Sequence, residues 1–87
     1  MKSVSLSPRA FDELNYWANE DSRMVIKIFA LIRDIQRDPF RGLGKPEPMR
    51  HKYQGLWSRR INLAHRLVYS VSDEQIVIIA CRYHYDK

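Results

Sequence analysis

Between Lys45 and Tyr85 the chain carries a single carboxylate, Glu47, before the next acid at Asp73. Around it stand Lys45, Arg50, His51, Lys52, the pair Arg59-Arg60, then His65-Arg66, and near the end Arg82-Tyr83-His84-Tyr85. A lone base, an imidazole and a cluster of fixed positive charges are the parts needed to cleave RNA without a metal. In that reaction the 2′-hydroxyl attacks the adjacent phosphate. A base takes the hydroxyl proton, an acid protonates the departing 5′-oxygen, and cations stabilise the pentavalent transition state. Each proton transfer contributes about 10²–10⁴-fold. Loss of one preorganised electrostatic donor costs roughly 3–4 kcal/mol.

Glu47 is the candidate base. Pro46 and Pro48 fix the backbone around it and remove competing N–H donors, and Lys45 and Arg50 favour its ionised form. Alone, it reads as a solvated loop carboxylate. His84 is the candidate acid, since an imidazole exchanges protons near neutral pH; alone, it reads as a frayed terminal histidine. Arg66 adjoins the strongly β-forming Leu67-Val68-Tyr69, which makes it a strand-mounted phosphate clamp. Arg59 and Arg60 point to opposite faces of a regular strand, one for phosphate and one for the sheet edge. Tyr85 can stack on a base or donate to a phosphate. His51 and His65 are weaker candidates, and two histidines without a carboxylate or cysteine cluster make a poor metal site. No metal or cofactor is expected. Gly42-Leu43-Gly44 follows no strand and is not a nucleotide fingerprint.

These groups need a scaffold. Lys2–Leu6 reads as a short strand. Ser7-Pro8 reads as an N-cap followed by proline at the first helical position, opening a helix that runs to about Asn19. Its apolar positions are Phe11, Leu14 and Trp17 or Ala18. Glu20-Asp21-Ser22 breaks it and caps a second helix with the stripe Val25, Ile28, Phe29, Ile32 and Ile35. Asp38-Pro39 ends that helix. Residues 39–48 form an irregular loop, and Met49–Tyr53 is either a short strand or a turn of helix. The period then changes to two. Leu56–Asn62, His65–Ser72 and Gln75–Tyr83 read as strands joined by tight turns. Gln75–Cys81 is apolar on both parities, which predicts an interior strand. Toward the end of that strand Arg82 and His84 share a parity and should face the same way; Arg60 and Arg66, on adjacent strands, can reach one face. The order predicts an α+β domain over residues 1–87: two N-terminal helices on one face of a mostly antiparallel sheet of four to five strands.

The charge distribution supports a polyanion-binding face. The net charge is +5 over 87 residues. Residues 1–38 carry six bases and six acids, whereas residues 39–85 carry eight bases and three acids. The whole excess lies in the second half. The chain has no apolar run of transmembrane length and its first residues lack a signal-peptide core. The lone Cys81 can form no internal disulfide, which fits a reducing cytoplasm.

Three groups of residues carry a family resemblance. They are Asp38-Pro39-Phe40 with Gly42-Leu43-Gly44-Lys45-Pro46-Glu47-Pro48; Gly55-Leu56-Trp57-Ser58-Arg59-Arg60-Ile61 with His65-Arg66-Leu67-Val68-Tyr69; and Ala80-Cys81-Arg82-Tyr83-His84-Tyr85. In order and spacing they resemble the YoeB/Txe toxins of the RelE superfamily, from about Met1 to Tyr85. The resemblance implies a small microbial-RNase-like fold. It also implies a toxin of a bacterial toxin–antitoxin pair that cleaves mRNA in the ribosomal A site. It makes Glu47 the general base, His84 the general acid and Arg66 the phosphate stabiliser, with Arg60 and Tyr85 lining the site. The implied partners are an acidic YefM/Phd-like antitoxin, the 70S ribosome with its mRNA, and a second copy of the chain; no membrane is implied. Arg50 stands where relatives often have lysine, which keeps the charge and changes the geometry. The chain also adds Asp86-Lys87 beyond the tyrosine at which relatives commonly stop, and its first strand is more polar. Lys45, Arg50, His51, Lys52, Arg59, Arg60 and Tyr85 are the expected RNA-contacting set. Two rivals remain: a ParE-like gyrase poison, which lacks the acid–base pair, and a basic module that binds ribosomal RNA without cleaving it.

Overall fold

The computed structural model describes residues 1–84. The chain begins with strand β1 (Ser3–Leu6), followed by helices α1 (Pro8–Glu20) and α2 (Ser22–Arg37). Strand β2 (Glu47–Pro48), a 3₁₀ turn (His51–Tyr53), and strands β3 (Trp57–Arg60), β4 (Arg66–Val71) and β5 (Gln75–Ala80) complete it. Ser7 caps α1 by accepting the Ala10 N–H, with Pro8 in the first turn. Asp21 ends α1 and caps α2 through the Arg23 N–H, so one residue separates the helices.

The five strands form one sheet in the order β1-β5-β4-β3-β2. β1 runs parallel to β5, and the other three pairings are antiparallel. β5 is interior, as its two-sided apolar run predicts. Leu67, Tyr69, Ile76 and Ile78 pack against Trp17, Ile28, Leu31 and Ile35 of the two helices to form the main core. This is the α+β architecture expected from the element order. Alternation along the strands sends Ser58, Arg60, Arg66 and Val68 to the other face. There Val68 joins Met49 and Ala80 in a smaller cluster with Tyr53 and Leu56.

Several local expectations are corrected. Phe29, placed in the core stripe, is 53% exposed, and Phe11 is exposed too. Trp17, Ile28, Ile32 and Ile35 are buried as expected, and Ala10 and Glu13 on α1 and Met24 and Leu31 on α2 complete the buried faces. Leu14 and Val25 are partly buried against the same core. The loop after α2 holds a two-residue strand, because Glu47 and Pro48 pair with Ser58 and Trp57. Of the two alternatives left open for Met49–Tyr53, residues 51–53 take the helical turn. The last strand stops at Ala80, not Tyr83.

Candidate active site

Strand register assembles the site. In β3–β4, Arg60 lies directly opposite Arg66, and Ser58 lies opposite Val68. Glu47 pairs with Ser58 from the other side. Paired residues project to the same face, so Glu47, Arg60 and Arg66 emerge together on the face away from the helices. Arg66 is nearly buried, and its Nη1 stands 3.8 Å from Glu47 Oε1, whose side chain is 55% exposed. Its Nη2 lies 2.8 Å from His84 Nε2. The expected base, clamp and acid therefore meet at one guanidinium.

His84 arrives there by a route that alternation does not predict. β5 ends at Ala80, and Tyr83 adopts φ +76°, so parity is lost before His84. Arg82 and His84 do not share a face. Arg82 turns back onto the Tyr16 ring of α1, 3.5 Å from its centroid, while His84 meets Arg66. The segment carrying His84 is tied down largely by residues outside the expected catalytic set, with the Arg66 backbone. Glu13 accepts the Cys81 N–H at 2.7 Å, and the Trp17 indole donates to the Cys81 carbonyl at 2.9 Å. His65 Nδ1 accepts the Tyr83 N–H, and the Arg66 N–H donates to the Tyr83 carbonyl. An acid at position 13, on the same helical face as Ala10 and Trp17, is the one signal of this in the sequence. Burial pushes the Cys81 thiol up to about 12, which makes it a packing residue and not a nucleophile.

Arg59 leaves the RNA-contacting set. It is 0% exposed because its parity points toward the helices. Its guanidinium is consumed internally. It donates to the Asp34 carboxylate and to the carbonyls of Asp38, Arg41 and Leu43, and Nε donates to the Tyr69 hydroxyl. Tyr69 in turn donates to the Pro39 carbonyl at 2.6 Å. Asp34 also accepts the Leu43 N–H and a bond from Arg37. Its carboxyl is held down at about 2, chiefly by Arg37 and then by Leu43 and Arg59. The hub pins residues 38–43 to the sheet just before Lys45 and Glu47. Gly44 completes the pin: its carbonyl accepts the Arg60 N–H. At φ +77° an added Cβ would lie 2.8 Å from the Arg60 carbonyl oxygen, so glycine is required there.

Lys45, Arg50, His51 and Lys52 are exposed, the last three on or beside the 3₁₀ turn that follows Glu47. Arg60 is half-buried, and its Nε is buried without a hydrogen-bond partner among the described residues. Tyr85 lies outside the described residues, as does the Asp86-Lys87 tail. No helix among the described residues is long and apolar enough to cross a membrane.

Known proteins share this sequence and fold. Residues 6–85 match the model of the YoeB-like toxin of bacterial type II toxin–antitoxin systems. The toxin YoeB of Escherichia coli K12 is 53% identical over 79 residues, spanning 91% of this chain and 94% of that one. The YoeB dimer of Staphylococcus aureus superposes with a TM-score of 0.90 at 44% identity, covering 97% of this chain and 98% of that one. A YoeB–YefM complex from the same organism gives 0.87 at 42% identity, covering 98% and 99%.

Proposed function

The chain belongs to the YoeB-like toxins of bacterial type II toxin–antitoxin systems, and on that footing we propose that it is a ribosome-dependent mRNA endoribonuclease that arrests translation in the cytoplasm. Glu47 removes the 2′-hydroxyl proton as that oxygen attacks phosphorus. The bond to the 5′-oxygen breaks, and cationic His84 gives that oxygen its proton. The products are a 2′,3′-cyclic phosphate and a 5′-hydroxyl. Arg66 stabilises the charge that accumulates on the phosphorane. The observation that carries this reading is the position of Arg66, 3.8 Å from the base and 2.8 Å from the acid. The buried Arg60 Nε supports it, because a buried donor calls for an acceptor and a phosphate oxygen is one. No step calls on a metal or other cofactor.

Lys45, Arg50, His51 and Lys52 form the exposed basic rim along which the mRNA and ribosomal RNA lie. An acidic YefM-like antitoxin neutralises the same surface, in keeping with the YoeB–YefM complex of the S. aureus relative. A homodimer is the free form, in keeping with that relative's dimer. The test is to map mRNA 5′ ends after induced expression. New ends inside open reading frames, absent from the Glu47→Gln/His84→Gln double variant, support the nuclease. Growth arrest that persists in the double variant, with intact mRNA, overturns it.

A further inference from the structure

We propose that His65 is a positioning residue whose neutral imidazole, by accepting the Tyr83 peptide N–H, fixes where the His84 ring stands. This rests on the nuclease reading above and concerns how its acid is aimed. His84 follows a break in regular structure: β5 has ended, and Tyr83 sits in the left-handed region at φ +76°. A non-glycine residue holds that conformation only when its surroundings impose it. Two bonds do so from the two sides of Tyr83. Its N–H is accepted by His65 Nδ1 at 2.8 Å, and its carbonyl accepts the Arg66 N–H at 2.9 Å. One pair of neighbours, His65-Arg66, therefore grips the residue that precedes the acid.

The His65 ring is itself held. The residue's carbonyl receives the Ile61 and Asn62 N–H groups across the β3–β4 connection. The ring meets Trp17 edge-on at 4.8 Å and lies 6.2 Å from the Tyr83 ring. The charged groups that bear on it are Glu13 from α1 and Arg82 from the terminal segment. Burial, then Arg82, pull the imidazole below its usual value, against a smaller opposing pull from Glu13. The neutral form with the proton on Nε2 is the form that can accept at Nδ1. A second proton would abolish the acceptor. The two histidines thus have opposed requirements. His84 must carry a proton to donate, and His65 must stay neutral to aim it.

Two measurements test the proposal. In long-range ¹H–¹⁵N spectra of the intact protein at neutral pH, His65 is expected as the Nε2–H tautomer with an unprotonated Nδ1; an Nδ1–H tautomer overturns the proposal whatever the variants do. The second compares single-turnover cleavage on ribosomes by His65→Asn, whose Oδ1 keeps an acceptor at the same distance from Cα, and by His65→Leu. His65→Asn should keep most of the rate. His65→Leu should lose about 10²-fold, the scale of a misplaced reacting group. On a substrate with sulfur at the 5′-bridging position, which leaves without a proton, that loss should largely vanish. An unchanged rate for His65→Leu, or an equal loss on both substrates, overturns the positioning role. Should the wild type itself leave mRNA intact, the nuclease reading falls, and the tautomer alone decides whether His65 holds Tyr83.

Discussion

Arg66 Nη2 lies 2.8 Å from Nε2 of His84, and since a guanidinium only donates, the ring nitrogen facing it presents a lone pair. The guanidinium and the imidazole are thus in direct contact. An RNA phosphate entering between them supplies the anion both can face. In the proposed reaction His84 is the group that gives the leaving oxygen its proton. In the same proposal Arg66 answers the charge that develops on phosphorus.

Arg66→Ala should consequently slow the chemical step more than it weakens binding. We expect a loss of about 10²–10³ in the saturating single-turnover rate, with a much smaller change in ribosome affinity. Measuring the two separately decides the matter. Weaker binding at an unchanged saturating rate would make Arg66 a mere anchor.

The buried hub predicts a stability effect away from the chemistry. Arg59→Met leaves Asp34 and three loop carbonyls short of their donor. It should cost about 3–5 kcal/mol, as for one partner removed from a buried pair. Urea unfolding reads this directly. Asp34 adds a pH signature. Its carboxyl is lowered to about 2 in the fold, so its contribution is complete above about pH 5, where the unfolded carboxyl is also fully ionised. The contribution is lost as pH falls toward 2. Asp34→Asn should remove that part of the acid-unfolding curve.

Arg59 also marks where the sequence stops being legible. Period-two alternation says that Arg59 and Arg60 face opposite ways, and they do. It does not say which face the helices cover, because that depends on the register with β4 and on the packing of α2. The same ambiguity leaves Phe29 and Phe11 outside: both helical stripes have apolar residues on either side of the true core line, and only the sheet selects between them. Arg60 and Arg66 are legible as a pair because their strands are adjacent, and Glu47 because it is the lone acid between Lys45 and Asp73; its place on a strand beside them is not. That His84 joins them is readable from its type and from the resemblance, but not from parity, since a left-handed Tyr83 breaks the alternation. The supporting shell of Glu13, Trp17 and His65 acts through tertiary hydrogen bonds, of which the acid at position 13 on a buried helical face is the one local sign.

Salt dependence should map the binding rim. Reversing Lys52 or Arg50, which are exposed beside Glu47, should lower the slope of log affinity against log salt by roughly one for each phosphate no longer neutralised. Reversing Lys2, at the β1 edge and bonded to the Asp73 carbonyl, should leave the slope unchanged. An equal effect from Lys2 would move the RNA face away from the site described.

His84→Gln should block an ordinary substrate by about 10²–10⁴-fold. A substrate with a 5′-bridging sulfur should restore most of that rate, because a thiolate departs unprotonated. The wild type should gain much less. Absence of rescue would assign the imidazole to binding and leave Lys45 or Tyr85 as the acid.

The central claim is that Glu47 is the base for 2′-hydroxyl attack. Its most direct test is single-turnover cleavage of mRNA on programmed ribosomes, comparing the wild type with Glu47→Gln, which removes the base at nearly constant volume. The wild type should leave 2′,3′-cyclic phosphate and 5′-hydroxyl ends. The variant should cleave about 10²–10⁴-fold more slowly, with fold and ribosome binding retained. Cleavage by Glu47→Gln at the wild-type rate would contradict the assignment.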